Sequence, residues 1–306
     1  MKIGIPKALL YYKYAQLWEG FLGTLGIECI VSPDTNKEIL ELGQSRSVDE
    51  ACLSSKIFMG HVAWLAKRCD AVFVPRIGHI GKAGTVCTKF QATYDLVANT
   101  FRGEGLKLLH YSIDLSQQEN ELGAFLKLGA QLGKTKPQSL YAYWTAKQAE
   151  KAAQMIAADD QKRQLEKSGI KILLIAHPYN TYDPYTGGLL IKALKDMGAI
   201  PVLGCACESR AAIAASYSLS ETVPWVYSRE LLGAIALLRE RVDGIILLSA
   251  FPCGPDSMVN ETIIRRVKDK PILNLTLDGQ EGTAGLETRV ESFLDIIGDR
   301  RRERVG

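Results

Sequence analysis

The sequence predicts an α/β protein made of two three-layer domains with mainly parallel sheets. Apolar, strand-like runs alternate with helical segments along both halves, which is the pattern of βαβ units. The chain has 306 residues, a length typical of about two domains. A long segment without Gly or Pro separates the halves. We therefore predict an N-terminal domain over 1–138, a connecting helix over 139–168, a C-terminal domain over 169–306 and a cleft between the domains.

The N-terminal half contains four predicted strands, over 2–6, 27–32, 70–75 and 107–113. A helix is predicted over 14–25, closed by Gly26. Ser47 and Glu50 form a capping box, and apolar residues recur at helical spacing behind it as far as Cys69. The sequence therefore predicts a second helix that begins at this box.

The long helix over 139–168 is predicted because the segment is rich in Ala, Lys, Gln and Glu and ends before Gly169. The C-terminal half then repeats the alternation, although no repeat is visible residue by residue. Its strands are predicted over 170–176, 199–203, 244–249 and 271–277. Its helices are predicted over 187–197, 208–216, 228–241, 256–268 and 284–297.

Composition and charge narrow the function classes. The chain has 37 basic and 34 acidic residues, and its one basic excess, near Arg300–Arg304, favours a solvated tail over a nucleic-acid patch. We find no signal peptide and no apolar run of about 18 residues, so we expect a cytoplasmic protein without a membrane segment. Walker, dinucleotide-binding and G-x-S-x-G patterns are missing, which leaves ATP, NAD and serine-hydrolase chemistry unsupported.

Polar side chains follow several predicted strands at their carboxyl ends, where open parallel sheets bind ligands. Two of them have an alternative explanation: Arg76 can pair with a surface carboxylate, and His177 can be a hydrogen-bonded turn residue. The candidates at these ends are Lys7, Arg76, His177, Tyr179, Asn180, Cys253 and Asp278.

Seven cysteines in a cytoplasmic chain are not expected to form disulfides, so metal binding is the alternative to burial. We expect Cys29 and Cys69 to be small buried side chains. Cys205 and Cys207 form a Cys-x-Cys pair that can bind a metal, but their side chains diverge if the segment is extended. A structural role and a metal-binding role both remain open for this pair.

Three other cysteines occupy separate loops or helix starts. Cys52 lies near a helix start, although its place on the apolar stripe also fits burial. Cys87 lies in a Gly-rich loop, and Cys253 lies between two prolines in "FPCGP". Three thiolates from distant segments are atypical of structural zinc, and on a four-iron cluster they leave one iron without a protein thiolate.

Several motifs together resemble the 2-hydroxyacyl-CoA dehydratase superfamily, most closely its dehydratase-activase-related branch. The similarity extends over about residues 2–297. The motifs are "GIPKALLYYKYAQLWEGFLGTLGI", "VSPDTNKEIL", "SVDEACLSSKIFMGHVAWL", "VFVPRI", "CTKF", "HPYNTYDP" and "FPCGPDSMVNE" with the segment from "KDKPILNLTLDG" onward.

The resemblance implies an iron–sulfur cluster between α/β domains, with Cys52, Cys87 and Cys253 as ligands. The cluster would be [4Fe–4S] or, as in one relative, a double-cubane [8Fe–9S], which needs further ligands from Cys205 and Cys207 or from a second chain. In the dehydratases an ATP-hydrolysing activase delivers one low-potential electron. That electron reduces the thioester carbonyl of a 2-hydroxyacyl-CoA to a ketyl radical anion, which expels the hydroxyl group.

We therefore predict an anaerobic iron–sulfur redox protein of the lyase or reductase type that takes electrons from an ATP-dependent activase. It would reduce a small substrate or dehydrate a 2-hydroxyacyl-CoA. Arg76, His177, Tyr179 and Asn180 would contact the cofactor or substrate. The expected partners are the activase and a second dehydratase-like subunit or a second copy. The chain is shorter than dehydratase subunits and shows no coenzyme A segment, so a non-catalytic cluster carrier is the alternative. An α/β binding protein with merely buried cysteines is a third.

Overall fold

The computed structural model describes residues 1–81, 84–279 and 283–305. These residues form two compact units. Unit 1 comprises residues 1–153 together with 224–226, and unit 2 comprises 154–223 and the chain from 227 onward. Each unit contains a four-stranded sheet in which all the paired strands are parallel. The predicted α/β class is therefore confirmed.

Unit 1 has the strand order β2-β1-β3-β4. Its strands are β1 (Lys2–Ile5), β2 (Glu28–Val31), β3 (Ala71–Ile77) and β4 (Leu108–Ile113). Its helices are α1 (Tyr11–Thr24), α2 (Lys37–Gln44), α3 (Leu53–Leu65), α4 (Thr88–Gln91), α5 (Thr93–Thr100) and α6 (Glu121–Gln131). Helix α7 (Lys136–Glu166) follows, and the boundary between the units falls inside it.

Aromatic side chains form part of the core of unit 1. Phe73 on β3 packs against Trp18 of α1 and Tyr111 of β4, with ring centroids 5.0 and 5.6 Å apart. Phe125 of α6 lies 5.0 Å from Tyr111 by the same measure. Because β3 is buried along almost its whole length, its "AVFVPRI" reads as a continuous apolar run, as expected of an inner parallel strand.

Unit 2 has the strand order β6-β5-β7-β8, so its order within the unit, 2-1-3-4, is the same as that of unit 1. Its strands are β5 (Lys171–Ile175), β6 (Ile200–Leu203), β7 (Gly244–Ala250) and β8 (Ile272–Leu277). Its helices are α8 (Pro178–Thr181), α9 (Gly187–Asp196), α10 (Ser209–Ser216), α11 (Val226–Leu238), α12 (Gly254–Arg266) and α13 (Thr283–Val305), with α11 beginning at the unit boundary.

Part of the core of unit 2 lies between the sheet and two helices. Leu190 and Leu194 of α9 and Val290 and Phe293 of α13 pack against apolar side chains of β5, β7 and β8. Every residue of β7 is buried, which is consistent with the uninterrupted aliphatic run that predicted this strand.

The helix predicted to begin at the Ser47–Glu50 capping box starts later, so that prediction is wrong. Helix α3 begins at Leu53, and Cys52 is its N-cap residue. Val48, the apolar residue inside the predicted capping box, is 65% exposed, so a helix that began at this position would not bury it. The capping side chain of this region is Asn36, which accepts a hydrogen bond from Ile39 N at the start of α2.

Each unit places two helices between its second and third strands, and a glycine lies at each contact. A Cβ at Gly60 of α3 would overlap the carbonyl oxygen of Ile39 on α2. A Cβ at Gly233 of α11 would likewise overlap the carbonyl oxygen of Ala212 on α10. The two helix backbones in each pair therefore lie closer together than they could if the glycine were replaced by a residue with a side chain.

No described helix is both long enough and apolar enough to cross a membrane.

Candidate functional site

The strand order 2-1-3-4 creates a crevice at the carboxyl edge of each sheet, between its first and third strands. In unit 1 this position lies between β1 and β3, and in unit 2 between β5 and β7. Cys87 follows β3, whereas His177 and Cys253 follow β5 and β7. The fold thus places these predicted site residues on connections that leave the crevices.

All three cysteines predicted as ligands are N-cap residues. Cys52 caps α3, Cys87 caps α4 and Cys253 caps α12. A helix that connects parallel strands runs antiparallel to them, so the first turns of these helices lie at the carboxyl edges of their sheets. Exposed amides and the helix dipole favour a thiolate there, most strongly at the 13-residue helices α3 and α12.

A segment from far along the chain holds the loop that carries Cys87. Thr85 forms a parallel bridge with Trp225. Thr85 N donates to Pro224 O at 3.2 Å, and Val226 N donates to Thr85 O at 2.9 Å. Gly84 has a φ of +126°, and a Cβ there would lie 2.5 Å from Pro224 O, so only glycine fits.

Arg76 supports the same loop from the other side. Its Nε donates to Gln91 O at 3.1 Å and its Nη1 to Ser112 Oγ at 2.9 Å. Gln91 Nε2 in turn donates to Thr85 Oγ1 at 2.7 Å and to Val86 O at 3.1 Å. Arg76, a predicted cofactor contact, therefore braces the turn that presents Cys87.

Two carboxylates lie close to the Arg76 guanidinium, and one of them, Asp114, is buried rather than at the surface. Asp114 Oδ2 and Glu119 Oε2 are each 3.6 Å from it. Hydrogen bonds from Ser112 and Lys127 lower the pKa of Glu119, and the positive charge of Arg76 adds to that effect. Arg76 thus interacts with protein groups on several sides.

His177 and Asn180 are the two buried side chains among the predicted contacts in unit 2. His177 caps α8, is 5% exposed, and shares a hydrogen bond of 2.9 Å between Nε2 and Asp256 Oδ1. The Tyr179 ring stacks on the imidazole with centroids 5.1 Å apart. His177 Nδ1 is buried and finds no hydrogen-bond partner among the described residues. Asn180 is also buried, and its carbonyl accepts a hydrogen bond from Thr186.

Asp256 connects His177 to the surroundings of Cys253. It is the third residue of α12, the helix that Cys253 caps, so its bond to His177 joins the two connections of the unit 2 crevice. The sequence analysis missed Asp256, although its place three residues after Cys253, at a predicted helix start, was a usable signal.

The space beside Cys253 is open. A Cβ at Gly254 would meet no atom of the described residues within 4 Å, and the φ of this glycine is not positive. The backbone therefore does not require glycine here, and the missing side chain leaves room next to the thiol.

Of the remaining cysteines, Cys29 and Cys69 are half-buried, and burial raises the pKa of both, to about 11 for Cys29. Cys205 lies in a 3-10 turn over 204–206, where it forms a hydrogen bond with Tyr182, and Cys207 Sγ accepts one from Gln161 Nε2 at 3.5 Å. Burial raises the pKa of Cys207 to about 11.

Across residues 1–81, 84–279 and 283–305, no three His, Cys, Asp or Glu side chains converge closely enough to hold a single metal ion. The donor type fits an iron–sulfur cluster better than a single ion, because three thiols occupy helix N-cap positions, Cys52 and Cys87 in unit 1 and Cys253 in unit 2, the last beside open space.

Residues 2–204 match the family described as "CoA enzyme activase uncharacterised domain (DUF2229)". No curated protein matches the chain. Among solved structures, one match is "Crystal structure of ZnuA", with 10% sequence identity over 97% of this chain and 98% of that chain. The TM-score of this match is 0.28.

Proposed function

Because the chain belongs to the CoA enzyme activase uncharacterised domain family, which is part of the 2-hydroxyacyl-CoA dehydratase activase-related group, we propose that it is an iron–sulfur protein of this group. Cys52, Cys87 and Cys253 are the proposed ligands of a [4Fe–4S] cluster. An ATP-dependent activase would supply its electrons, and a dehydratase-like subunit or a second copy of this chain would be its further partner.

The observation that carries the proposal is the shared position of the three thiols. Each caps a helix that begins at the carboxyl edge of a parallel sheet. A bound cluster would supply single electrons at low potential, for reduction of a small substrate or dehydration of a 2-hydroxyacyl-CoA. The chain's own part is to hold the thiols: Arg76 and Gln91 fix the turn before Cys87, and Gly254 leaves room beside Cys253.

The first test is anaerobic purification or reconstitution with iron and sulfide, followed by iron and sulfide counts and electron paramagnetic resonance. We expect about four iron atoms per chain. The variants Cys52→Ala, Cys87→Ala and Cys253→Ala should each lose most of this iron, because a cluster left with two protein thiolates is bound weakly. Cys29→Ala and Cys69→Ala are matched controls that should keep it. A colourless protein, or ligand variants that retain full iron, would refute the proposal.

A space-filling variant tests the same site without removing a thiol. Gly254→Leu should lower the iron content several-fold while the thermal stability of the iron-free protein stays within about 1 kcal/mol of the wild type, since the new side chain meets open space. Gly23→Leu, on the open face of α1, is the control and should keep its iron. Full iron in Gly254→Leu would place the cluster elsewhere.

Addition of an activase and ATP distinguishes an enzyme from a protein that only carries a cluster. Turnover of a 2-hydroxyacyl-CoA or of a small reducible substrate supports an enzyme. Transfer of the cluster to an iron-free acceptor, without turnover, supports the alternative of a cluster carrier.

A further inference from the structure

Cys205 and Cys207 are a pair of thiols that the proposed [4Fe–4S] cluster does not use. They follow β6 at the carboxyl edge of the unit 2 sheet, and both are half-buried thiols outside any disulfide in the structure. Among the described residues no third His, Cys, Asp or Glu side chain joins them to hold a metal ion. The chemistry to consider is therefore that of two neighbouring thiols alone.

The backbone between the two cysteines has a spacing that suits a disulfide. The segment is not extended: residues 204–206 form a 3-10 turn, in which Cys207 N donates to Gly204 O at 3.2 Å. Because Ala206 has this compact geometry, the Cα atoms of Cys205 and Cys207 lie about 5–6 Å apart. Disulfides join Cα atoms about 4.4–6.8 Å apart. The turn therefore allows a bridge between the two thiols.

Each of the two sulfur atoms has a hydrogen-bond donor of its own. Gln161 Nε2 donates to Cys207 Sγ at 3.5 Å, and the Tyr182 hydroxyl group bonds to Cys205. Burial, followed by the charge of Cys205 and this hydrogen bond, raises the pKa of Tyr182, so the phenol stays protonated and is the donor. A cysteine that only fills space needs no such donors. All four side chains belong to unit 2.

The two thiols have different chemical roles open to them. Burial raises the pKa of Cys207 to about 11, and the negative charge of the Cys205 thiolate adds to that effect, so Cys207 stays protonated at neutral pH. The hydrogen bond from Tyr182 stabilises the thiolate of Cys205, which is the nucleophilic form. We propose that Cys205 and Cys207 are a redox-active dithiol that reacts with low-molecular-weight disulfides, with Cys205 as the attacking thiol and Cys207 as the resolving thiol.

The reaction proceeds in two steps. The Cys205 thiolate attacks one sulfur of the small disulfide, forms a mixed disulfide and releases a small thiolate, which takes up a proton. This step removes the negative charge of Cys205, which lowers the pKa of Cys207 and favours its ionisation. Cys207 then loses its proton to solvent and attacks the Cys205 sulfur, and the second small thiolate leaves and is protonated.

In the complete reaction two protein thiols become one disulfide, and one small disulfide becomes two thiols. The protein pair is oxidised by two electrons and the small disulfide is reduced by two. A bridge across a single residue is strained, and strained disulfides are readily reduced. The pair is therefore suited to repeated oxidation and reduction rather than to stabilising the fold.

Peptide mapping of the full chain tests the proposal. Trypsin should release residues 196–210, "DMGAIPVLGCACESR", which contain no other cysteine. The chain, without added iron, is equilibrated in glutathione buffers of increasing oxidised fraction, quenched with acid, denatured, alkylated with N-ethylmaleimide and digested without reductant. We expect this peptide to change from two labels to none, with the loss of two hydrogen atoms, whereas the peptides that contain Cys29 and Cys69 keep their labels.

Single variants test the two roles. Cys207→Ala should retain glutathione on Cys205, because no resolving thiol is left to displace it. Cys205→Ala should take up several-fold less glutathione, because burial keeps Cys207 protonated. Two labels on the wild-type peptide in every buffer, or a bridge to another cysteine in place of this one, would overturn the proposal. Equal glutathione uptake by the two variants would overturn the assignment of roles.

The test is independent of the proposed function. The wild-type map reports on the Cys205–Cys207 bridge without either variant, so it does not depend on how a variant folds. Iron and sulfide counts report on the cluster alone. A chain that binds iron but never forms the bridge overturns only the dithiol, and a chain that forms the bridge but binds no iron overturns only the cluster.

Discussion

His61 illustrates how burial acts on one titratable side chain. It is fully buried on α3, with Nδ1 2.8 Å from Ser32 Oγ and Nε2 3.0 Å from Thr35 Oγ1. Burial, and to a lesser extent the positive charge of Lys7, lower its pKa to about 3. The folded protein thus keeps this imidazole neutral, with both ring nitrogens occupied by hydroxyl groups.

We predict a pH dependence of stability from His61. The pKa of His61 is about 3 when the chain is folded and about 6.5 when it is unfolded. Between these two pH values the unfolded chain therefore binds a proton that the folded chain does not. The stability contribution is therefore complete above pH 6.5 and is lost as the pH falls, by roughly 1.4 kcal/mol per pH unit. Urea unfolding at pH 7.5 and pH 5 should show a loss about 2 kcal/mol larger in the wild type than in His61→Gln. Equal losses in both proteins would contradict this assignment.

The pair of helices α2 and α3 depends on glycine at its contact. Gly43 and Gly60 each bring one backbone against the other, and a Cβ at Gly43 would overlap Lys56 O just as one at Gly60 would overlap Ile39 O. Backbone carbonyls cannot move aside as a flexible side chain can. The N-cap of α3 is Cys52, so the position of this proposed ligand depends on how the two helices pack.

Gly60→Ala should therefore destabilise the protein by about 1–3 kcal/mol, the usual cost of overpacking a tight contact. Gly23→Ala on α1 is the control: its Cβ meets nothing within 4 Å among the described atoms, so it should stabilise the chain by about 0.5–1 kcal/mol through higher helix propensity. Thermal or urea unfolding of both variants checks the pair. A neutral Gly60→Ala would mean that α2 and α3 separate at little cost.

At the scale of the whole molecule, the chain returns to unit 1 at residues 224–226, long after the rest of that unit is complete. Val226→Pro tests this return. Proline removes the N–H that donates to Thr85 O, yet Val226 is the first residue of α11, a position where proline is tolerated. We expect faster hydrogen exchange at the amides of residues 85–87 and little change within α11. Unchanged exchange at Thr85 would show that this bridge does not hold the loop.

The sequence predicted the strands better than the helices. The strand predicted over 244–249 is observed as Gly244–Ala250, because a strand buried on both faces must be apolar throughout. Helices α2 and α6 were missed although Asn36 and Asn120 cap them, since short polar helices show little periodicity. Asp256 stood at a predicted helix start beside Cys253, which was a usable signal, but its bond to His177, 79 residues away, is not visible in the sequence. The contact of Gln91 with Arg76, 15 residues away, has no sequence signal at all.

The common 2-1-3-4 strand order also bears on the ancestry of the chain. Two halves with the same order of strands, each with a glycine at the same helix contact, are the pattern that tandem duplication and fusion of one ancestral half produces. Under that descent Cys87 and Cys253 are two copies of one ancestral thiol, since each follows the third strand of its half and caps the next helix. Cys52 has no counterpart in the second half. The helix that precedes the third strand there begins after Trp225, where the first half has Cys52. Two of the three proposed ligands would then be inherited together, and the third acquired by one half alone.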